Sequence, residues 1–231
     1  MWGILRREHY DSLVEWHFRR KLKGVHQTKV SDEGRLDQET ALQAFLKTDV
    51  DIIYAQEMSQ SSAFDDVVRA TLNDKLVFTE WHAVDAPHVL VQLSYRNIEP
   101  WQICNAVLLV NAQRLLRKLC PECREELAVN ERTLFEAGLS QDQTATAHIF
   151  RPVGCEACDH TGYQGKVLVC ETMAFTPDLK AAFSAGAPSR ELKKIAVRGG
   201  MSTLRMSGLR KMLAGLTTLD EVLMTTPSDA S

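Results

Sequence analysis

The sequence predicts an α/β fold with a parallel sheet, followed by a small cysteine-rich module and a C-terminal helical bundle. Helical and strand patterns alternate over residues 38–81, as in strands joined by crossover helices. Two CxxC pairs follow, and three helical stretches come after them. The chain has 231 residues, 45% of them apolar, which is enough for one good core and a smaller satellite module.

Apolar periodicity predicts the first elements. Residues 10–24 carry a weak helical pattern that Gly24 ends. The stretch QETALQAFLK at 38–47 places its apolar side chains on one face, as an amphipathic helix requires. The run DVDIIYAQE at 49–57 is apolar between acidic residues, which indicates a strand buried on both faces of a parallel sheet.

A second helix and strand, and then further helices, are predicted from the same patterns. SSAFDDVVRATLN at 61–73 is helical, and KLVFTEW at 75–81 is typical of a strand. The pattern is helical again through HVLVQLSYR at 88–96 and from Glu99 to Leu119. Pro121 stands just past that end, where a chain cannot continue a helix.

Three more helices are predicted in the C-terminal region. SRELKKIAVR at 189–198 and STLRMSGLRKMLAG at 202–215 both end at glycines. TTLDEVLMTT at 217–226 carries a capping box, in which the side chains of Thr218 and Glu221 can each satisfy the other's free backbone donor. These stretches predict a small helical bundle.

The composition argues against several functions. A formal net charge of -3 does not fit a protein that mainly neutralises nucleic-acid phosphates or an anionic membrane. The longest apolar run, ICNAVLLVNA, is far short of the roughly 20 residues needed to cross a bilayer. The first 24 residues show no signal-peptide pattern, so we expect the cysteines in a reducing cytosol, where paired thiols indicate metal or redox chemistry.

The CxxC pairs are formed by Cys120 with Cys123 and by Cys155 with Cys158, with 31 residues between the pairs. A two-residue gap lets both sulfurs of a pair face one ion at about 2.3 Å, and two pairs complete a closed tetrahedron. The spacing therefore predicts a structural Zn²⁺ site. The alternative is a set of unrelated buried or redox thiols, but neither pair follows the βαβ pattern of a thioredoxin-like unit.

Five other residues near the cysteines are assigned supporting or structural roles. Gly154 and Gly162 fit the tight turns that a metal-binding pair imposes. His160 could substitute for a ligand, but with four cysteines present we expect a surface or packing histidine. Cys104 and Cys170 lie outside the pairs and are expected to be small buried hydrophobes.

Four cations close to the cysteines could offset the charge of four thiolates around Zn²⁺: Arg117, Lys118, Arg124 and Lys166. For each of them, a solvated position is the equal alternative. The stretch between the pairs has few large apolar residues, so a metal contributing on the order of 10 kcal/mol would hold this module together.

The order of these motifs resembles a known family. NAQRLLRKLCPEC, then GCEACDHTGYQGKVLVCE, then GMSTLRMSGLRKMLAGLTTLDEVL are similar to the C-terminal half of the ATPases that drive type II secretion and type IV pilus assembly. The resemblance covers residues 25–226. It implies a RecA-like ATPase domain, a tetracysteine zinc module and a helical C-terminal region, with six subunits forming a cytoplasmic ring.

On this resemblance the chain divides into five segments: a helical segment of uncertain role at 1–24, a partial RecA-like ATPase domain at 25–118, the zinc module at 119–170, a helical region at 171–226 and a disordered tail at 227–231.

The resemblance also implies site residues. ALQAFLKTDVDIIYAQE looks like the stretch that runs into the Walker B strand, with Glu57 at the catalytic glutamate position and Asp49 and Asp51 at the preceding, cofactor-binding aspartates. LNDKLVFTEWHAVDA is similar to the histidine box of the family, with His82 at its second histidine. The alternatives are a polar residue that ends a core strand and an ordinary loop histidine. Trp81 and Trp101 are expected to be packing residues.

Several residues depart from the family pattern: Gln56, Ser59, Gln60, the triplet Asn73, Asp74 and Lys75, and Glu80. Gln56 replaces the glycine before the glutamate, and Ser59 and Gln60 replace an Arg-Asp pair. Asn73, Asp74 and Lys75 replace a Thr-Gly-His triplet, and Glu80 replaces a small hydroxyl residue. No GxxxxGK[ST] occurs in the sequence, and the Gly165-Lys166 pair is followed by a valine inside the cysteine module. The chain therefore shows no loop that could grip β- and γ-phosphates.

Three functions follow as hypotheses. The first is a truncated or degenerate secretion or pilus ATPase chain that joins a motor ring without hydrolysing ATP alone. The second is a fragment of an active motor, with ATP and Mg²⁺ bound only if a P-loop is supplied. The third is a zinc-ribbon nucleic-acid binder using Arg114, Arg117, Lys118 and Arg124, which the acidic composition disfavours.

The expected partners follow from the first hypothesis. They are secretion ATPase subunits in a homo- or hetero-oligomeric hexameric ring and inner-membrane platform proteins, with neither nucleic acid nor direct membrane insertion. The expected location is the cytoplasm, peripheral to the inner membrane through those partners.

Overall fold

The computed structural model describes residues 11–15, 22–30, 36–59 and 61–229, with the backbone alone described for 11–15. The chain divides into two compact units. The first comprises Met1–His82 and Gln92–Leu108, and the second comprises Ala83–Val91 and Leu109–Ser231.

The first unit is built on a parallel sheet with the strand order β2-β1-β3-β4. Its strands are β1 (Asp11–Glu15), β2 (Val25–Lys29), β3 (Ile52–Ala55) and β4 (Leu76–Thr79). The helices α1 (Gln38–Leu46), α2 (Phe64–Leu72) and α4 (Pro100–Ala106) belong to this unit, while α3 (Ala86–Ser94) begins in the second unit and ends in the first. Parallel strands alternating with helices confirm the predicted fold class.

Strand β3 forms the centre of the first unit. Ile52, Ile53 and Ala55 are buried, which agrees with the prediction of a strand covered on both faces. Leu42 of α1 is also fully buried, as the amphipathic pattern of that helix requires.

The helix predicted over residues 10–24 is wrong for the described part of that segment. Residues 11–15 form β1, which pairs in parallel with β2 on one side and with β3 on the other. Two backbone ladders outweigh a weak helical preference, because tertiary pairing routinely overrides local propensity. Residues 1–10 and 16–21 lie outside the described residues.

The second unit contains two antiparallel pairs and a set of helices. Strand β5 (Leu109–Leu119) pairs with β8 (Tyr163–Ala174), and β6 (Glu125–Glu126) pairs with β7 (Phe150–Arg151). The short helices α5 (Glu131–Glu136) and α6 (Gln141–Ala145) lie between the cysteine pairs. Helices α7 (Pro177–Ser184), α8 (Ser189–Arg198), α9 (Leu204–Leu213) and α10 (Leu219–Thr225) follow β8, which confirms the three predicted C-terminal helices.

One apolar cluster joins the parts of the second unit. Its buried members come from β5, β8, α9, α10 and the stretch between the cysteine pairs: Leu116, Leu134, Leu139, Ile149, Val169, Leu204, Leu209, Met212, Leu219 and Val222. The stretch between the pairs therefore lacks a core of its own but contributes three side chains to a shared one.

The long helix predicted from Glu99 to Leu119 is wrong beyond Ala106. The helix ends there, Val107 is extended, and Leu109–Leu119 form β5. Exposed and less exposed residues alternate along most of β5, which is the period of a strand, and β8 supplies its ladder.

The tail predicted to be disordered is described as far as residue 229, and Asp229 makes side-chain contacts. Asp229 accepts a hydrogen bond from the Thr203 hydroxyl at 2.7 Å and lies 3.5 Å from the Lys193 ammonium. Residues 230 and 231 lie outside the described residues. Within the described ranges, no helix has the length and apolar character needed to span a membrane.

Candidate metal centre and candidate nucleotide site

The four cysteines of the CxxC pairs come together in the second unit. Their sulfur atoms all lie within 4.8 Å of one another. The Sγ–Sγ distance is 3.9 Å between Cys120 and Cys155, and 3.8 Å both between Cys123 and Cys158 and between Cys155 and Cys158. Four ligands at about 2.3 Å from a tetrahedral ion are about 3.8 Å apart, so the cluster has the dimensions of a metal site.

The chain reaches this arrangement through the ends of β5 and β8. Cys120 follows β5, and the second pair lies in the turn before β8, where residues 156–158 form a short 3-10 helix. Backbone N–H groups point at the sulfurs: those of Cys155 and Gly162 lie 3.3 and 3.2 Å from Cys158 Sγ, and that of Gly154 lies 3.3 Å from Cys123 Sγ. Such donors orient thiolate ligands and stabilise their charge.

The two predicted turn glycines are required by geometry. Gly154 has φ +105° and Gly162 has φ +75°. A Cβ at Gly154 would lie 2.5 Å from the carbonyl oxygen of His160, and one at Gly162 would lie 2.4 Å from Cβ of Pro152. Side chains are therefore excluded at both positions.

The backbone donors also act on the thiol acidity. The N–H groups of Cys155 and Gly162 lower the pKa of Cys158 to about 6, against the effect of its burial. Burial and the hydrogen bond with Cys158 raise the pKa of Cys155 to about 12. His160 is exposed and is not among the four residues that form the cluster.

Two of the predicted charge-balancing cations instead connect the cysteine region to the helices. The Nε of Arg117 donates to Glu221 at 2.7 Å, and its guanidinium lies 4.1 Å from the centre of the Tyr163 ring. Arg124 donates to the carbonyl oxygen of Gly215 and lies over the Phe150 ring at 4.8 Å. Lys118 and Lys166 are exposed.

These contacts bear on the nucleic-acid hypothesis. Arg114 donates to the carbonyl oxygens of Ala83 and Val84 at 2.9 and 2.7 Å, so it is also engaged within the unit. Of the four cations proposed to contact phosphates, only Lys118 has no described partner. Three of these four cations therefore have partners within the second unit.

The first unit brings together the two candidate catalytic residues. Glu57 follows β3 and His82 follows β4, and because the strands are parallel their carboxyl ends meet at one edge of the sheet. Nε2 of His82 lies 2.8 Å from Oε2 of Glu57. Glu57 takes a left-handed φ of 44°, which turns the chain directly after the strand.

The residues that depart from the family pattern lie at both ends of the strands, with Ser59 beside Glu57 and with Asp74 and Lys75 just before β4. Ser59 donates to Oε1 of Glu57 through its backbone N–H at 3.1 Å and through its hydroxyl. Asp74 takes a left-handed φ of 64° at the position where the family has glycine. Lys75 donates from Nζ to the carbonyl oxygens of Thr48 and Val50 at 3.1 and 2.8 Å, and so has a structural role.

The other predicted binding residues lie elsewhere. Asp49 and Asp51 precede β3, are exposed, and therefore stand at the opposite end of the strand from Glu57. Gln60 lies outside the described residues.

Sequence reasoning missed Arg96. Its guanidinium donates to the carbonyl oxygens of Met58 and Ser59 and lies 5.7 and 5.4 Å from the rings of Phe64 and Trp81. It fixes the turn that carries Glu57. No motif surrounds this arginine, so only the fold could reveal it.

Several single-residue expectations can be judged from burial. Cys104 is buried as expected, whereas Cys170 is exposed because it lies on the outer face of β8. Trp81 packs edge to face on Phe64 at 5.0 Å, as predicted, but Trp101 is 57% exposed and the prediction for it is wrong.

The parallel sheet with a carboxylate at its edge and the four-cysteine cluster are the features that can be compared with known proteins. A family model described as "Type II/IV secretion system protein" matches residues 7–224, and the chain belongs to this family. The chain is 40% identical over 217 residues to "Type IV pilus assembly ATPase PilB" of Myxococcus xanthus, which covers 94% of this chain and 38% of that protein. It is 31% identical over 210 residues to "Type II secretion system protein E" of Aeromonas hydrophila, covering 90% of this chain and 41% of that one.

The chain thus spans well under half the length of these two relatives. Among solved structures, "Crystal Structure of the Pilus Retraction Motor PilT and Bound ADP" matches with a TM-score of 0.68 and 16% identity, over 96% of this chain and 54% of that one. This likeness shows the fold and confirms the fold class predicted from the sequence.

Proposed function

We propose that the chain is a subunit of a type II secretion or type IV pilus assembly motor that acts in assembly or interaction and does not hydrolyse ATP alone. Family membership supports the motor context. One observation supports the part of the proposal that concerns ATP hydrolysis. Glu57 and His82 meet at the edge of the sheet, but the sequence holds no GxxxxGK[ST]. Without that loop, the β- and γ-phosphates have no cradle of backbone donors and no lysine.

The surroundings of Glu57 support the same proposal. Its carboxylate accepts two hydrogen bonds from Ser59 and contacts His82, so its oxygens already have partners. Ser59 stands where the family has an arginine, and that cation is therefore absent from the sequence at this position.

Within this proposal, the cysteine cluster holds Zn²⁺ as a structural ion. The sulfur separations of 3.8 to 3.9 Å support tetrahedral coordination with no open position. When bound, Zn²⁺ contributes folding free energy on the order of 10 kcal/mol to the second unit. Elemental analysis of the purified protein should find one zinc ion per chain, and Cys155→Ser should lose the ion and make residues 120–170 sensitive to protease.

The proposed partners are subunits of a secretion ATPase ring and inner-membrane platform proteins on its cytoplasmic side. Neither nucleic acid nor membrane insertion is part of the proposal. The engagement of Arg114, Arg117 and Arg124 within the second unit supports the exclusion of nucleic acid.

Two measurements test this function. Isothermal titration of the isolated chain with ATP and Mg²⁺ should show no binding at micromolar concentrations, with the full-length M. xanthus ATPase as positive control. Mass photometry of the chain mixed with that ATPase should show mixed assemblies. Micromolar ATP affinity of the isolated chain, or the absence of any mixed assembly, would contradict the proposal.

A second candidate function is favoured by the 2.8 Å contact between His82 and Glu57. If another polypeptide supplies the phosphate-binding loop, Glu57 is placed to polarise the attacking water. In a mixed assembly, Glu57→Gln in this chain would then lower ATP turnover at least about tenfold, since general-base catalysis contributes 10²–10⁴-fold. Unchanged turnover would favour the assembly function.

A further inference from the structure

Glu57 lies in a turn whose backbone conformation needs outside support. Its φ of 44° is left-handed, a region that a residue with a Cβ occupies only when its surroundings hold it there. Its carboxylate contacts His82 at 2.8 Å, but the His82 side chain is 88% exposed, and an exposed polar contact of this kind does little to hold two chain segments together. Other groups must therefore fix the relative position of the two residues.

The ends of β3 and β4 are joined by one backbone hydrogen bond, and the turn after β3 is also held by the side chain of Arg96. Met58 N donates to Glu80 O at 3.1 Å. Nη2 of Arg96 donates to the carbonyl oxygen of Met58 at 3.4 Å and to that of Ser59. Because these two residues follow Glu57 directly, Arg96 holds the turn from its C-terminal side.

The guanidinium of Arg96 also contacts the segment that carries His82. It lies 5.4 Å from the Trp81 ring and 5.7 Å from the Phe64 ring, and these two rings pack edge to face at 5.0 Å. Trp81 directly precedes His82, and its indole N–H donates to the side chain of Gln92 on α3. One side chain thus contacts both the turn after β3 and the residue before His82.

Arg96 is itself held in place by the fold. Its backbone N–H donates to the carbonyl oxygen of Leu93 at 3.0 Å, so it lies in a turn that directly follows α3. Within the described residues, the partners of its guanidinium are the two carbonyl oxygens and the two rings, and no carboxylate is among them. Ser59 stands where the family has an arginine, so the guanidinium beside this position comes from a distant part of the sequence.

We infer that Arg96 is the positioning residue of the candidate nucleotide site and keeps the Glu57 carboxylate and the His82 imidazole within contact distance. It acts through the turn after β3 and through the Trp81 ring. The inference rests on the proposed function in its second form, in which Glu57 polarises the attacking water.

Nuclear magnetic resonance of the imidazole Hε1 and Cε1 atoms tests this role in the isolated chain. The signal of His82 among the seven histidines is assigned by its loss in His82→Gln. Glu57→Gln should move this signal in the wild-type chain. In an Arg96→Met background Glu57→Gln should leave the signal where it is, because the contact is already broken, and such non-additivity measures the coupling. A merely structural role of Arg96 would lower Tm without removing this coupling.

Two further variants separate position from charge and from general stability. Arg96→Lys keeps the charge but ends one bond short of Nη2, so it should remove the coupling as Arg96→Met does. Arg69→Met on α2 is the matched control, because that side chain is 71% exposed and contacts Asp66 only at 4.0 Å, and it should leave the coupling intact.

Thermal unfolding followed by circular dichroism shows which of these variants are folded. A full response to Glu57→Gln in either Arg96 variant would overturn the inference, because the side chain would then not act on the pair. Unfolding of both Arg96 variants would also overturn it, since Arg96 would then serve the whole fold. Loss of the coupling in Arg69→Met would do the same, because the effect would not be specific to Arg96.

Turnover in a mixed assembly separates this inference from the function on which it rests. When a second polypeptide supplies the phosphate-binding loop, Arg96→Met should lower kcat at least about tenfold and leave KM for ATP unchanged, because a misplacement of about 1 Å can cost 10²-fold. If the coupling is lost as predicted but kcat is unchanged, the second candidate function fails and the positioning role stands. If the coupling persists, the positioning role fails whatever the turnover.

Discussion

At the scale of single residues, the cysteine cluster depends on glycines whose roles can be separated by comparison. Gly162 and Gly165 have almost the same φ, +75° and +77°. A Cβ on Gly162 would lie 2.4 Å from Cβ of Pro152, whereas a Cβ on Gly165 would meet nothing within 4 Å. The pair therefore distinguishes backbone strain from steric exclusion.

We expect Gly162→Ala to destabilise the second unit more than Gly165→Ala does. Both substitutions carry the cost of a left-handed alanine, about 1 kcal/mol, and only the first adds an overpacking cost of about 1–3 kcal/mol. Urea unfolding of the zinc-loaded proteins measures the two free energies. Equal losses would contradict the close approach between Gly162 and Pro152.

Residue Glu221 shows what a local pattern can and cannot predict. The backbone N–H of Glu221 donates to the Thr218 hydroxyl at 3.2 Å, which is one of the two hydrogen bonds of the predicted capping box. The Glu221 carboxylate instead binds the side chain and backbone of Arg117. Burial acts to raise the pKa of Glu221, but the hydrogen bonds from Arg117 outweigh it and lower that pKa. A partner so far away in sequence is not visible in a four-residue motif.

At the scale of elements, a segment can be predicted from the sequence when the interactions that fix its conformation are local. Helices α1, α9 and α10 and strands β3 and β4 were predictable because apolar periodicity and capping are local signals. Strands β1 and β5 lie in segments whose local pattern predicts a helix, because both owe their conformation to ladders with distant strands. The two cysteine pairs are also far apart in the sequence. They can nevertheless be predicted to form one cluster, because the CxxC spacing of each pair is itself typical of a metal site.

Turn 214–218 between α9 and α10 is linked to the first cysteine pair by several hydrogen bonds. Leu119 N donates to Leu216 O at 2.9 Å, the Thr217 hydroxyl donates to Arg117 O at 2.8 Å, and Arg124 donates to Gly215 O. Order in this turn should therefore depend on the metal.

Removing zinc with a chelator should increase amide exchange in this turn and at Leu119, as measured by hydrogen–deuterium exchange with mass spectrometry. The expected reason is that the loss of metal frees the residues flanking Cys120, and local stability is lost with them. Peptides covering β3 and β4 in the first unit are the internal control and should exchange at an unchanged rate. Equal acceleration in both units would contradict a local structural role for the metal.

At the scale of the whole molecule, the second unit is discontinuous in sequence and needs side chains that hold its short segment in place. Residues Ala83–Val91 belong to it although the rest begins at Leu109. Nζ of Lys193 on α8 lies 3.0 Å from Oδ2 of Asp85, and the two side chains are only 9% and 2% exposed. Glu171 adds a second link, accepting from the backbone N–H groups of Ala86 and Leu204 at 2.8 and 3.1 Å.

The charges of this pair support each other. Burial acts to raise the pKa of Asp85, but hydrogen bonds from His88 and Lys193 outweigh it, so that pKa is lowered. Burial acts to lower the pKa of Lys193, but the hydrogen bond to Asp85 and the charge of Asp85 outweigh it, so that pKa is raised. Both groups are therefore charged at neutral pH. Removing Lys193 leaves the buried Asp85 carboxylate with the hydrogen bonds from His88 but without its buried cation.

Lys193→Met should consequently destabilise the second unit by about 3 kcal/mol, since breaking one side of a buried ion pair costs 3–5 kcal/mol. Lys194→Met on the same helix is the matched control, because that side chain is 51% exposed, and its change should stay within about 0.5 kcal/mol. Adding Asp85→Asn to Lys193→Met should recover part of the loss, because the unpaired charge is then removed. Urea unfolding of the four proteins measures these differences, and equal effects of the two lysine substitutions would show that Asp85 does not hold Ala83–Val91 in the second unit.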